Sequence, residues 1–329
     1  MSNVPITLAC SHYDRTEALR DGSVRVEGVD LNYLDLPIEE IFFRTAKFQE
    51  FDASEMSLSS YVLSLNGTSP FIAIPVFPSR AFRHSGIYVN SDAGIDAPGD
   101  LAGKRVGIAE YQLTANVWIR GILEEHYGVP ATAVTYHTGG LHSPGRVEKM
   151  KVQLPAGIEV SPIGAGQTLA GMLVDGEIDA IYSPRTPQPL LQGDTRVRRL
   201  FPDYASEEAR YHAQTGVFPI MHVVVLRREV YEQNRWLARE LFKAFEQARR
   251  QVMDTIDETA AMRFMLPWLP EEVRRTREVL GHDYWPYGVQ DNETTLRAFL
   301  RYSHAQGLAN RVHEPADLFA PETLEEFVI

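Results

Sequence analysis

Short strand-like runs alternate with helical stretches in two successive blocks, and this order constrains the chain more than any other feature. Residues 6–9 read as a strand, 15–21 as a short helix, and 29–36 alternate apolar and polar side chains as a half-buried strand does. Ile38, Ile41, Phe42, Thr45 and Phe48 follow at helical spacing, with Pro37 near the start, where its missing N–H costs least. Residues 51–56 lead into a short helix through Tyr61, and 71–77 and 86–90 are further strands. This β-α order predicts a mostly parallel sheet with helices on its faces.

A stretch rich in Asp, Gly and Pro at 90–99 separates the second block. There, 106–109 reads as a strand and 113–127 as a long helix stopped by Gly128 and Pro130. Residues 147–153 and 158–163 read as a hairpin turning at 154–157, 169–175 as a helix, and 178–182 as a buried strand. An apolar strand around 218–226 is placed back in the first block. After it, Trp236, Leu237, Leu241, Phe245, Ala248 and Val252 form one helical face behind Asn234, a candidate cap. The expected architecture is α/β with two lobes, residues 1–91 and 222–329 in one and 92–221 in the other. The chain would cross between them near 87–92 and 216–222, leaving a ligand cleft.

Charge and composition narrow the partners. The 329 residues carry a formal net charge of −12, which argues against nucleic acid or an anionic membrane as partner. Local Arg clusters still allow an acidic ligand. No apolar run is long enough to span a bilayer, and MSNVPITLAC lacks a basic start followed by an apolar core, so a cytoplasmic location is expected. With one cysteine, Cys10, no internal disulfide can form, and that residue reads most simply as a small buried hydrophobe. The sequence has no G-x-G-x-x-G, phosphate loop, H-E-x-x-H, paired C-x-x-C or G-x-S-x-G. No cofactor and no metal are expected, and turnover should survive chelation. A homo-oligomer is compatible with the composition.

Polar residues capable of chemistry gather at strand ends, where open α/β sheets bind ligands. Arg80, Arg83 and His84 lie within five residues of one another, just after a buried-looking strand. Guanidinium groups grip carboxylates and imidazole moves protons near neutral pH, although such a run equally makes a solvated basic loop. Glu110, Gln112 and Thr114 lie between a strand and a helix, where free N–H groups suit an anion, unless Thr114 merely caps the helix. Arg15, the pair Ser57 and Ser59, Arg185 and His222 end other strand-like runs. A lone His is more often structural than catalytic, and Trp118 is most simply core. Together these positions favour a polar, anionic ligand.

At these residues the chain resembles the 4,5-dihydroxyphthalate decarboxylases. The likeness rests on Asp14-Arg15-Thr16-Glu17-Ala18-Leu19, Glu55-Met56-Ser57-Leu58-Ser59-Ser60-Tyr61 and Pro75-Val76-Phe77-Pro78-Ser79-Arg80-Ala81-Phe82-Arg83-His84. It continues through Asp100-Leu101-Ala102-Gly103-Lys104-Arg105-Val106-Gly107, Glu110-Tyr111-Gln112, Phe218-Pro219-Ile220-Met221-His222 and Trp285-Pro286-Tyr287-Gly288. The resemblance implies a type 2 periplasmic-binding-protein-like fold turned to decarboxylation of an aromatic dicarboxylate. It implies that Arg80 and Arg83 hold carboxylates, assisted by Arg15 or Arg185. His84 or His222 would donate the proton, and Glu110 would engage a phenol. A solute-binding protein for a small carboxylate is the main alternative, and a ligand-sensing domain a third.

Overall fold

A computed structural model describes residues 3–324 and contains two sheets. The first block supplies β1 (Val4–Cys10), α1 (Glu17–Arg20), β2 (Val29–Asp35), α2 (Ile38–Phe48), β3 (Ala53–Ser57), α3 (Leu58–Ser64) and β4 (Phe71–Ile74). The second supplies β5 (Ile87–Asn90), β6 (Arg105–Ile108), α4 (Thr114–Tyr127), β7 (Thr135–Thr138), β8 (Glu159–Pro162), α5 (Leu169–Val174), β9 (Ala180–Tyr182), α6 (Gln188–Leu191), β10 (Val197–Arg199) and α7 (Tyr204–Thr215). The remainder is β11 (His222–Arg227), α8 (Arg228–Gln233), α9 (Trp236–Met253), α10 (Leu269–Leu280) and α11 (Glu293–Ala305).

The first sheet runs β2-β1-β3-β11-β4, with β2, β1 and β3 parallel and β11 antiparallel to both neighbours. The second runs β10-β5-β9-β6-β7-β8, parallel from β9 to β8. Here β5 pairs antiparallel with β9 and β10, so 87–90 joins the second sheet rather than ending the first block. The chain therefore leaves the first sheet after Ile74 and returns to it at β11. Its two crossing segments lie side by side. Ala81 N donates to Pro219 O, Met221 N to Ser79 O, and Arg80 bridges Ile220 antiparallel.

The expected hairpin of 147–153 with 158–163 does not form. Residues 147–153 carry no strand, and β8 instead pairs parallel with β7, a strand the sequence reading passed over. The charged side chains of 146–149 have another destination, described below. Asn234 does not cap α9 through its side chain, which donates to Val230 O.

Helix α11 fastens the molecule across the second block. Its Phe299 and Tyr302 rings lie 5.4 and 5.7 Å from Trp118 on α4, whose indole N–H donates to Ile220 O in the crossing segment. Gly121 is required for this approach, because a Cβ there would sit 2.2 Å from Tyr302. The first sheet has an unusual centre. All five residues of β3, Ala-Ser-Glu-Met-Ser, are buried between β1 and β11. Buried polar groups require partners, and those partners define the site.

Candidate active site

β3 ends at Ser57 and turns directly into α3, while β6 runs through a short loop into α4, which begins at Thr114. Three hydroxyls meet there. Ser57 Oγ lies 2.8 Å from Thr114 Oγ1 and 3.0 Å from Ser59 Oγ, and Thr114 Oγ1 lies 2.9 Å from Ser59 Oγ. Thr114 also accepts from Ser59 N at 3.1 Å. Thr114 is thus the first residue of α4 rather than its cap, and its hydroxyl ties the two strand ends together. Gln112 is buried beside them, accepting from Ser60 Oγ and donating weakly to Glu110.

Ser57 stands opposite His222 in the β3–β11 register. Two residues back along β3, Glu55 is fully buried and its Oε1 lies 2.6 Å from His222 Nδ1. Tyr13 OH donates to the same carboxylate at 2.7 Å, Ser11 N at 3.1 Å, and the Cys10 thiol at 3.5 Å. Burial by itself would raise the Glu55 pKa, but the hydrogen bond and charge of His222, with Tyr13 and Ser11, outweigh it and hold the group below the ordinary carboxylate value. Burial pushes the Cys10 thiol and the Tyr13 phenol up, so both remain proton-bearing donors to Glu55. The His222 side chain keeps 19% exposure, packs edge-on against Phe42 at 4.8 Å, and has no protein partner on Nε2 among the described residues.

Arg15 packs on Tyr13 beside this pair, and Arg83 reaches the residue before His222. The Arg15 guanidinium is sandwiched between the Tyr13 ring at 4.2 Å and the Trp285 ring at 4.4 Å. Its plane is fixed by donation to Pro78 O and Asp14 Oδ1. Arg83 Nε meets the sulfur of Met221, the neighbour of His222, at 3.1 Å. Its terminal nitrogens have no protein partner among the described residues. Burial pushes its pKa down to about 10, and Glu208, the acid whose charge reaches it, is already engaged by Ser85 N. A half-buried cation without a bound carboxylate is suited to receive one.

Other expected site residues lie apart. The crossing segment forms only an isolated bridge at Arg80 and bends into a 3-10 turn at His84–Gly86, so these side chains do not share one face. Arg80 turns to Pro286 O, Phe218 O and Asn292 Oδ1, and burial lowers its pKa to about 9. It is a tie between backbone segments, not an open carboxylate grip. His84 is 1% exposed within a cage of Tyr127, Phe201 and Tyr211, with neither ring nitrogen hydrogen-bonded. Burial pushes its pKa down to about 4. It is therefore a neutral core imidazole and not a proton donor to the cleft.

Glu110 is also committed. Arg146 Nη2 donates to it at 2.7 Å and Lys149 Nζ at 2.8 Å. Burial would raise Glu110, but Lys149 and then Arg146 outweigh this and hold it below its usual value. A carboxylate so paired is a poor base for a phenol. Arg185 lies at the rim, 62% exposed, and reaches Glu39 of α2 at 3.2 Å, which Arg146 also contacts. Between α2 and residues 146–150 is a cavity of about 580 Å³, walled by Glu39, Phe43, Glu110, Arg146, Lys149 and Met150. Because Phe42 on the same helix touches His222, the cavity and the Glu55–His222 pair share the α2 wall.

Sequence reasoning did not single out Glu55, Tyr13, Arg146 or Lys149 as functional. The local pattern around Glu55, a Glu between Ser and Met, equally describes a solvent-facing strand position. Nothing local to 146–149 points to Glu110. Among the described residues no three His, Cys, Asp or Glu side chains converge as a metal site.

No family model matches the chain. A curated relative from Comamonas testosteroni, named 4,5-dihydroxyphthalate decarboxylase, is 43% identical over 330 aligned residues covering 100% of both chains. Another of that name from Pseudomonas putida is 47% identical over 204 residues, 62% of this chain and 79% of the relative. Among solved structures, the periplasmic aliphatic sulphonate binding protein SsuA of Escherichia coli superposes with a TM-score of 0.54 at 10% identity, covering 98% of this chain and 99% of the other. The alkanesulfonate-binding protein SsuA from Xanthomonas axonopodis pv. citri, bound to MOPS, gives 0.53 at 11%, covering 97% and 99%. At such identities the structural likeness establishes the fold alone, the two-lobed type 2 binding-protein architecture.

Proposed function

The chain belongs to the 4,5-dihydroxyphthalate decarboxylase family, and from that membership we propose that it is a carboxy-lyase converting 4,5-dihydroxyphthalate to protocatechuate and carbon dioxide. The observation that carries the mechanism is the His222 imidazole, held at Nδ1 by buried Glu55 with Nε2 left free of protein partners among the described residues.

Each carboxylate of this substrate is para to a hydroxyl. Electron density from the ionised hydroxyl reaches the ring carbon that bears the carboxylate. That carbon takes a proton from His222. The bond to the carboxylate then breaks, its electron pair restores the aromatic ring and the phenolate, and carbon dioxide departs. The imidazole regains its proton from solvent. Because the phenol supplies the electrons, the step requires no separate electron sink. In this reading Arg83 and Arg15 hold the two carboxylates, and the hydroxyls of Ser57, Ser59 and Thr114 suit the ring oxygens. A cytoplasmic setting agrees with a single, protonated, buried cysteine and with the absence, among the described residues, of a helix able to cross a membrane.

Incubating the purified protein with 4,5-dihydroxyphthalate in deuterium oxide tests the reading. Protocatechuate should accumulate with one deuterium at the vacated ring carbon. Binding without product over hours would instead favour a carrier of aromatic carboxylates.

A further inference from the structure

We infer that Glu55 is a positioning residue for His222, fixing the imidazole with Nδ1 toward the buried carboxylate and Nε2 toward the substrate cleft. The inference deepens the decarboxylase reading and rests on it for its kinetic arm.

The geometry leaves Glu55 little alternative. It is fully buried in the middle strand of the first sheet, where an uncompensated carboxylate would be strongly disfavoured. Four donors surround it: Ser11 N and Cys10 Sγ on Oε2, Tyr13 OH and His222 Nδ1 on Oε1. Three of these come from β1 and the turn after it, so the carboxylate has three contacts independent of His222. His222 arrives from the adjacent antiparallel strand, where the register places its Cα opposite Ser57. Phe42, edge-on to the ring, blocks rotation on the α2 side. An imidazole whose one nitrogen is held by a carboxylate presents the other in a defined tautomer and direction.

The charged and titratable groups around the pair can be named element by element. β1 brings Cys10, the following turn Tyr13 and Arg15, and β2 Tyr33, whose hydroxyl donates to Ser11 O and Thr16 Oγ1. The crossing segment brings Arg83 against Met221. Packed against these, Glu55 is the acid in direct contact with the ring.

The test combines Glu55→Gln, Glu55→Asp and His222→Asn. Glu55→Gln keeps the side-chain shape but removes the charge. It should lower kcat by about 10²-fold, within the range of acid–base contributions, with KM changed less than about threefold. Glu55→Asp should recover part of the loss. If Glu55 acts through the ring, the Glu55→Gln/His222→Asn double variant should turn over no more slowly than His222→Asn alone. Nitrogen NMR of the substrate-free protein reads the tautomer without turnover, with the neutral-ring proton on Nδ1 in the wild type and redistributed in Glu55→Gln. An unchanged tautomer in a folded variant, or losses that multiply in the double variant, would overturn the inference. A wild type that shows the Nδ1 tautomer yet releases no carbon dioxide would sink the decarboxylase reading and leave this one standing.

Discussion

The hydroxyls of Ser57 and Thr114, one ending β3 of the first sheet and the other opening α4 behind the second, are 2.8 Å apart. This contact spans 57 residues of sequence and joins the carboxyl ends of two sheets, the location where α/β folds build ligand sites. It also fixes the orientation of both hydroxyls before any substrate arrives.

Replacing Thr114 by Val preserves shape but deletes the acceptor of Ser59 N. A buried N–H left unpaired costs about 1–3 kcal/mol, so the denaturant midpoint should fall. If a substrate oxygen also uses this hydroxyl, KM should rise about tenfold, the value of one hydrogen bond of roughly 1.4 kcal/mol. Thr114→Ser should restore both. Equilibrium unfolding and initial-rate kinetics on the two variants decide it, and an unchanged midpoint with an unchanged KM would refute the role.

His84 should govern acid stability rather than turnover. In the folded chain burial pushes its pKa down to about 4, whereas unfolded His titrates near 6.5. Between these values the unfolded chain takes up a proton that the folded chain refuses. Stability is therefore full above pH 6.5 and declines as pH falls toward 4, by up to about 3 kcal/mol at roughly 1.4 kcal/mol per unit. His84→Phe should fill the Tyr127–Phe201–Tyr211 cage, flatten that decline, and keep kcat near neutrality within a few-fold. Unfolding curves at pH 5 and 7.5 check the first outcome. A hundredfold loss of kcat in the folded variant would return His84 to the reaction.

Glu110 anchors residues 146–149 beside the cavity against α2. Glu110→Gln leaves Arg146 and Lys149 without the carboxylate that both contact. The segment should open more often, and trypsin should cut after Arg146 and Lys149 faster than in the wild type, by about tenfold for a loss near 1.4 kcal/mol. Mass spectrometry of timed digests at equal protein folding gives the answer. Equal cutting rates would mean that the ion pairs do not hold the segment.

The sequence disclosed most of the scaffold, because strand and helix periods are local properties. Helix α2 shows both the power and the limit of that reading. Ile41, Phe42 and Thr45 are buried as the stripe requires, while Phe48 at its end is 59% exposed. Among site residues, Ser57, Ser59, Thr114, His222, Arg15 and Arg83 were recognisable as polar groups at strand ends; the fold links the first five through Glu55 and Tyr13, and brings Arg83 to Met221. Arg80 and His84 misled because adjacency in sequence does not mean a shared face: the chain bends into a 3-10 turn at His84. The partners of Glu110 lie 36 and 39 residues along the chain, in a stretch whose apolar spacing imitates a strand. No local pattern encodes such a pairing. Glu55 was hidden by its neighbours, since a Glu between Ser and Met in a short strand also describes a solvent-facing position.

Arg80 and Arg83, three residues apart, should separate into a structural and a substrate-binding arginine. Arg83 has terminal nitrogens without protein partners among the described residues and lies against Met221, next to the proposed acid. Its removal takes a charge-assisted hydrogen bond from a substrate carboxylate, worth about 1.5–3 kcal/mol. Arg83→Ala should therefore raise KM about 10-fold to 100-fold with little change in unfolding midpoint, and Arg83→Lys should recover only part, because an ammonium lacks the two-pronged grip. Arg80 instead donates to Pro286 O, Phe218 O and Asn292 Oδ1, joining the crossing segment to the loop before α11. Arg80→Ala strands those acceptors, so it should cost about 2–3 kcal/mol of stability while the folded fraction keeps its KM. Measuring unfolding and kinetics on both variants at one pH separates the two roles. If Arg80→Ala raised KM at constant stability and Arg83→Ala did not, the carboxylate grip would belong to Arg80, and the substrate would have to lie on the Asn292 side of the crossing strands rather than beside His222.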